Sequence, residues 1–501
     1  MPSSPLIKLL EQHQSLERLA VREVAGKSIS YKHLYQRARA FSAGLVANGF
    51  KTNDRVLLLV KPGVDATVAV IGVLLSGGCV VVADPGTGRE LFARRVQAAR
   101  PQWTIIDSRL AYLAKKPSLL ALARRLDAAI PDIVMKDLPK CIYSGKAPKG
   151  SLSMHAIENQ GVVYEACKIS PANIGLIVFT SGTTSEPKGV QLTHKNIAAS
   201  LELVKKMLIS DSPTLYTNQP YFLLLGIGVG ASVIINAKPF TPKRFLADSK
   251  AYSPNVIFGP PGEFLPLIEY CKKTKQRFPS SYLQVLFGSA PITKAFLKNF
   301  YSIANKSLTT TCMYGMTEAI PIAVVDGREK IQNTEEGDFL GELVSGIKAT
   351  LGKDGELFVQ GPNVMKSYIG QPPRSFIATG DIVSRQGNRL FLLSRKKDMI
   401  LRRSYNIYPG LYETTIGRIP GVIDCALIGV FSEELQDEQI ILVVETAQGS
   451  NLDERTLRRK LIAGPYSIDA QALPDRIVFR KLPRSGRQSK IDKQRLRNEE
   501  K

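Results

Sequence analysis

The chain has 501 residues, enough for two or three domains with a sizeable core. Its 44% hydrophobic and 22% charged composition excludes a mainly disordered chain. Lys and Arg outnumber Asp and Glu by 67 to 44, a net charge of +23 that favours anionic partners such as nucleotides, nucleic acid, anionic lipid or an acidic protein. The six cysteines are scattered without a CxxC pair, and the four histidines have no zinc-ligand spacing. A disulfide framework is therefore disfavoured, and a reducing, cytoplasmic setting is expected. There is no zinc finger, RNA-binding aromatic signature or long basic tail, so a dedicated nucleic-acid binder is not expected. The N-terminus MPSSPLIKLLEQHQ lacks the apolar core of an export signal.

In chain order, the first third reads as alternating strands and helices. Val56 to Val60 (VLLLV) suits a buried strand. Asp65 to Leu75 (DATVAVIGVLL) suits a buried helix, and Cys79 to Ala83 (CVVVA) the next strand. This βαβ pattern predicts a parallel sheet. The basic stretch KDLPKCIYSGKAPKG, Lys136 to Gly150, reads as an exposed excursion. A strand at Gly175 to Phe179 precedes TSGTTSEPKG. After it Ile197, Leu201, Val204 and Leu208 recur at helical spacing, with Thr193 as N-cap. Tyr221 to Ile235, YFLLLGIGVGASVII, is shorter than the ~18 residues of a spanning helix and reads as buried strand and loop. Strands follow at Asn255 to Phe258 and Leu283 to Phe287. Around residue 350 short strands with Gly and Pro turns suggest a small β-barrel or meander. Beyond Arg395, the runs CALIGV, IILVVE and RIVFRK with the helical DERTLRRKLI read as a small α+β domain. The predicted fold class is thus α/β: a large N-terminal region of layered βα subdomains plus a small barrel, residues 1–394, and a small α+β domain, residues 395–501.

The loop TSGTTSEPKG carries the chemistry. Glycines permit tight turns that aim backbone N–H groups at an anion; hydroxyls add donors and a lysine adds charge. The P-loop order GxxxxGK[ST] is absent, because Lys188 precedes Gly189 and a valine follows. From composition alone, a hydroxyl-rich surface turn and a phosphate cradle are equally good readings.

Other segments break that tie. TSGTTSEPKGV resembles the phosphate loop of the adenylate-forming superfamily of acyl-CoA synthetases, peptide-synthetase adenylation domains and luciferases. Gly288-Ser289-Ala290-Pro291 resembles its adenine-pocket turn, YGMTE (Tyr314 to Glu318) its nucleotide motif, and TGD (Thr379 to Asp381) its ribose motif. Arg395-Lys396-Lys397-Asp398 followed by NIYPGLYE resembles its hinge, and PRSGRQSKIDK its C-terminal lysine segment. An isolated Asp381 is ordinarily a turn residue and an isolated Lys490 a solvated charge. The ordered set of motifs is what is specific.

The resemblance implies ATP-dependent attack of a carboxylate on the α-phosphorus, where catalysis is charge neutralisation and alignment. Thr180, Ser181, Gly182, Thr183, Thr184 and Lys188 would cradle the β- and γ-phosphates. Thr317 would donate to the α-phosphate, and Glu318 would hold Mg²⁺. Tyr314 would stack on adenine beside Gly288 and Ala290, and Gly315 would leave room for the substrate carboxylate. Asp381 and Arg395 would hold the ribose, and Lys490 would reach the bridging oxygen. Lys397 would be the hinge of a mobile C-terminal lid that then guides a thiol, CoA or phosphopantetheine, to the acyl carbon.

Some positions depart from the pattern. Ser185 and Ser404 stand where glycine is usual, and Met313 precedes the nucleotide motif. Ser185 favours a catalytically silent, acyl- or partner-binding homologue; Lys188, Glu318, Asp381 and Lys490 argue against one. A closer resemblance of ADPGTGRE (83–90), PNVIFGPP (254–261) and YGMTEAIPIA (314–323) to β-lactone synthetases of olefin biosynthesis offers another second step, closure by the substrate's own hydroxyl. The apolar stretch Gln219 to Gly230 suggests a fatty or β-hydroxy fatty acid. The basic surface suggests an acidic acyl carrier protein or peripheral membrane contact.

Overall fold

The computed structural model describes residues 4–24, 26–84, 89–116, 119–120, 133, 135–179, 187–217, 220–236, 240–402, 405–432, 437–462, 465–485 and 490–500. The βαβ reading holds: strands Arg55–Leu59 and Cys79–Val82 pair in parallel, Val56 opposite Val80, around the helix Val64–Leu75. That helix is buried on nearly every side, from Val64 through Leu75, which is why its sequence lacks a polar stripe. These strands sit in an eight-stranded sheet that also holds Ile174–Phe179 and Gly189–Thr193, the two strands flanking the phosphate-loop motif. The following helix His194–Met207 starts at Thr193 as read. The Thr193 hydroxyl accepts from the Asn196 N–H, and the Asn196 side chain accepts from the Thr193 N–H.

A second, thirteen-stranded sheet carries the remaining motifs. Its central strands Thr214–Thr217, Val256–Gly259, Gln284–Phe287 and Thr309–Met316 are parallel. From Thr309–Met316 onward the sheet continues antiparallel through Ala319–Asp326, Asp338–Leu343, Arg389–Arg395, Ile377–Gln386, Glu356–Gln360 and Lys348–Leu351. This corrects the barrel expectation: the short strands extend the large sheet, with Arg389–Arg395 set beside Asp338–Leu343 out of chain order, and no closed barrel forms among the described residues. The turn spacing read from the sequence is common to both forms; the hydrogen bond partner of the first strand decides between them.

Two further segments differ from their sequence reading. Within the basic stretch, Lys140–Ser144 is a strand paired in parallel with Trp103–Asp107, and Ile142 is fully buried. Lys140 keeps its stem over the sheet, with its ammonium 3.9 Å from the Trp103 ring centroid and donating to the Asn48 carbonyl. Its charge therefore hid a strand residue, because lysine lays its alkyl stem along apolar surface. The apolar stretch begins as a helix, Pro220–Gly228, before strand Ser232–Ile235. Its glycines are contact points rather than breakers. A Cβ on Gly226 would come within 2.6 Å of Val233, and one on Gly228 within 2.7 Å of Leu201. Among the described residues no helix is long and apolar enough to cross a membrane.

Beyond residue 400, strands Val422–Ser432, Asp437–Thr446 and Arg476–Phe479 form a separate sheet. The helix Glu454–Ile462 packs on it through Leu457 and Leu461, as the α+β reading expects.

Candidate active site

Parallel strands bring their carboxyl ends to one rim, which carries the Gly288 and Tyr314 motifs, whereas Asp381 and Arg395 come from antiparallel strands. Gly259, Phe287 and Cys312 are register neighbours, so Gly288 follows directly beside Met313. A Cβ on Gly288 would lie 3.1 Å from the Phe258 ring. Ser289 adopts φ 67°, the left-handed region, so the chain turns sharply there and leads into half-buried Ala290.

Strand Thr309–Met316 returns through a tight turn, Thr317-Glu318, into Ala319–Asp326. Gly315 has a cause beyond the one the sequence suggested. A Cβ there would meet the Ala319 carbonyl oxygen at 2.9 Å, so the hairpin itself requires glycine. Thr317 is half-buried at the turn, and Glu318 is buried.

Glu318 is held by a segment that the sequence did not advertise, Pro362 to Ile369. The Met365 N–H donates to the Glu318 carbonyl at 2.7 Å, and the Tyr368 hydroxyl donates to Glu318 Oε1 at 2.6 Å. The same segment is tied to the strand after the phosphate loop. Ile369 N–H donates to the Gly189 carbonyl at 2.9 Å, and Lys366 N–H to the Gln191 carbonyl at 3.0 Å. Lys188 is exposed, and its ammonium lies 5.7 Å from the Tyr368 ring centroid. Tyr368 thus touches both Lys188 and Glu318, which are 130 residues apart in sequence. Burial, and then the Glu318 charge, push its phenol well above the usual tyrosine range. No motif in the sequence included Tyr368.

A second group forms around Asp381, which is 2% exposed. Strand register sets Asp381 opposite Arg395, and the Arg395 Nε lies 2.6 Å from Asp381 Oδ1 without hydrogen-bond alignment. Asp381 Oδ2 accepts from the Tyr314 hydroxyl at 2.6 Å. Burial pushes the Asp381 carboxyl up, and Arg395, Tyr314 and Lys490 oppose it. Tyr314 is pushed far above its ordinary value by burial and then by Asp381.

Lys490 enters this group from the C-terminal sheet pair Arg484–Ser485 and Lys490–Ile491. Solvent still reaches its side chain. Even so, the cleft around it pushes its pKa down to about 8, through desolvation and the nearby Arg395 and Lys397 charges, with Asp381 opposing.

Lys397 is exposed between two clamps. On one side Lys396 pairs with Asp354 and Glu356, each at 2.7 Å. On the other, buried Asp398 pairs with Arg497 at 3.0 Å. The first clamp grips strand Glu356–Gln360 and the turn before it, and the second grips the final helix, Lys493–Glu499. Lys396 was not singled out by the sequence, where it is one charge among several.

The structure therefore brings together Tyr314, Asp381, Arg395 and Lys490, and separately joins Lys188 to Glu318. Thr180, Ser181, Gly182, Thr183, Thr184 and the departures Ser185 and Ser404 lie outside the described residues.

Comparison with known proteins bears on the family and the fold. The profile of the AMP-binding enzyme family matches residues 11–369. A long-chain-fatty-acid–CoA ligase of Escherichia coli is 26% identical over 524 aligned positions, covering 95% of this chain and 90% of that protein. A feruloyl-CoA synthase of Amycolatopsis sp is 31% identical over 307 positions, 56% of this chain and 61% of that protein. Among solved structures, the amide bond synthetase McbA from Marinactinospora thermotolerans superposes with a TM-score of 0.81 at 18% identity, covering 99% of each chain. ATP-bound MatB from Rhodopseudomonas palustris gives 0.78 at 23% identity, covering 100% of this chain and 99% of that one. The structural likenesses speak to fold; the family match over most of the chain speaks to chemistry. This chain belongs to the AMP-binding enzyme family and is an adenylate-forming ligase.

Proposed function

We propose that the protein activates an apolar carboxylic acid, a fatty or β-hydroxy fatty acid, to its acyl-adenylate with release of pyrophosphate, and then transfers the acyl group to a thiol. The observation that carries this reading is the convergence of Lys490 with Asp381, Arg395 and Tyr314. A lysine from the C-terminal segment with a softened pKa lies beside a buried carboxylate suited to ribose hydroxyls. In this reading Asp381 accepts from the ribose, using the Oδ1 lone pair that Arg395 leaves unaligned. Tyr314 stacks on adenine beside Gly288 and Ala290. Thr180, Ser181, Gly182, Thr183, Thr184 and Lys188 cradle the outer phosphates, and Thr317 donates to the α-phosphate.

Lys490 neutralises charge between the attacking carboxylate and the α-phosphoryl oxygen. The carboxylate oxygen forms the new P–O bond as the bond to the pyrophosphate oxygen breaks. Both partners are anions, so fixed cations in a partly dry cleft supply most of the acceleration. Glu318 fits a Mg²⁺ ligand: its carboxylate is buried, and Tyr368 occupies Oε1. One carboxylate without a protein cage suits Mg²⁺, which keeps waters and shares substrate phosphates. When bound, the ion would offset phosphate charge.

Residues 1–394 would form the adenylation body and 395–501 a lid that turns at Lys397. Hydrophobic clusters drawn wholly from residues 400 onward support that division. An apolar acid is in keeping with the apolar sequence PYFLLLGIG of the helix Pro220–Gly228. The acceptor would be CoA or the phosphopantetheine of an acidic carrier protein, in keeping with the +23 charge.

The test is pyrophosphate release with ATP and Mg²⁺ across fatty and β-hydroxy fatty acids, with and without CoA, and mass analysis of products. Release that is lost in Lys490→Ala supports adenylation. A thioester product supports the thiol step, whereas a lactone product replaces it. No release with any acid, from folded protein that binds ATP, rejects the reading.

A further inference from the structure

We infer that Tyr368 is a positioning residue for the nucleotide's metal and phosphates. Its hydroxyl fixes the Glu318 carboxylate while its ring supports the Lys188 ammonium. The inference rests on the reading of Glu318 as the Mg²⁺ ligand and Lys188 as a phosphate cation.

The geometry is specific. The Tyr368 hydroxyl lies 2.6 Å from Glu318 Oε1, the length of a hydrogen bond from a hydroxyl to a carboxylate anion. Glu318 is 7% exposed, so water cannot readily replace that donor. With Oε1 engaged, the carboxylate is held in one rotamer and Oε2 is the oxygen left for a cation. The ring of the same side chain faces the Lys188 ammonium at 5.7 Å, a cation–π distance. The backbone of Tyr368 is itself fixed. Tyr368 is in antiparallel register with Val190, and the flanking Ser367 hydroxyl donates to Gln191 Oε1 at 3.0 Å. Asn363 Nδ2 donates to the Pro321 carbonyl at 2.7 Å, and Asn196 Nδ2 to the Pro362 carbonyl at 2.8 Å. The segment is therefore a brace between the phosphate-loop strand and the hairpin that bears Glu318. Partners that orient a metal ligand affect metal affinity on the order of tenfold or more when removed.

The test compares wild type, Tyr368→Phe, Tyr368→Ala and Glu318→Gln, measuring ATP binding by calorimetry with Mg²⁺ and with EDTA. Manganese binding in the presence of ATP is followed by electron paramagnetic resonance. Thermal melting checks folding. Tyr368→Phe keeps the ring and loses only the hydroxyl. It is expected to weaken MgATP and Mn²⁺ binding about tenfold while metal-free ATP binding stays within about twofold. Tyr368→Ala is expected to weaken metal-free ATP as well, because Lys188 loses its platform. Tyr368→Phe binding MgATP like wild type, while Glu318→Gln loses the Mg²⁺ enhancement, overturns the role of Tyr368 and leaves that of Glu318. Equal weakening of MgATP and metal-free ATP by Tyr368→Phe overturns it as well, because a general loop support would do the same. If Glu318→Gln keeps the full Mg²⁺ enhancement, both the inference and the reading beneath it fall.

Discussion

Lys490 makes the reading testable through pH. An ordinary lysine titrates near 10.5, whereas this one is pushed down to about 8 by its cleft and by Arg395 and Lys397. The protonated form is the one that can neutralise the reacting anions. The sign follows: activity that depends on Lys490 is full below pH 8 and falls as pH rises through 8. At pH 9 a lysine of pKa 8 is protonated in about one molecule in eleven, whereas one at 10.5 is still about 97% charged. The expected result is a drop of about tenfold in kcat/KM for the acid between pH 7 and pH 9. This ratio reports the free enzyme, which is the state described. The assay is continuous pyrophosphate release at limiting acid and limiting MgATP, so that the nucleotide-free enzyme is the titrating species. Lys490→Ala should lose on the order of a hundredfold in rate, the effect of removing one preorganised charge or donor. Its residual activity should also lack the falling limb. A limb near pH 10 in wild type, or an unchanged limb in Lys490→Ala, would refute the assignment.

Asp381→Asn removes the charge that faces Arg395 while keeping the acceptor for Tyr314; the KM for ATP should rise about tenfold or more in steady-state kinetics, and an unchanged KM would speak against a nucleotide role. Gly315→Ala would place a Cβ 2.9 Å from the Ala319 carbonyl. Overpacking of this kind costs about 1–3 kcal/mol, so a lower melting temperature should accompany lost activity, and wild-type stability would contradict the close approach. Lys396→Ala opens the clamp to Asp354 and Glu356 on one side of Lys397. Because Lys396 is half exposed, first-step turnover should change by less than about threefold. Trypsin should cut residues 395–402 faster, and equal cleavage of wild type and variant would mean that the clamp does not restrain this turn.

Motif chemistry and local pattern were legible without coordinates. Thr193 caps its helix because a Thr followed by Asn three residues later can satisfy two N–H groups locally. The strand–helix–strand run from Arg55 to Val82 declares itself through short, almost wholly apolar segments, since both faces of its sheet are covered. Glu318, Asp381 and Lys490 stood out as members of an ordered set, although each is unremarkable alone.

Only tertiary structure decided what joins them. The short strands after residue 338 became part of the large sheet because Ala319–Asp326 and Asp338–Leu343 pair as neighbours, a choice between partners that turn spacing does not encode. The helix at Pro220–Gly228 needed its glycines for contact with Val233 and Leu201, side chains that approach only in the folded chain. Lys140 passed for a loop charge because it stays exposed, and its place in a strand depends on pairing with Trp103–Asp107 from another part of the chain. Tyr368 had no sequence signal at all: its role arises from two contacts, one to Lys188 and one to Glu318, that exist only when distant strands meet. Residue types and local periodicity are carried by neighbours in the chain, whereas these pairings depend on long-range packing.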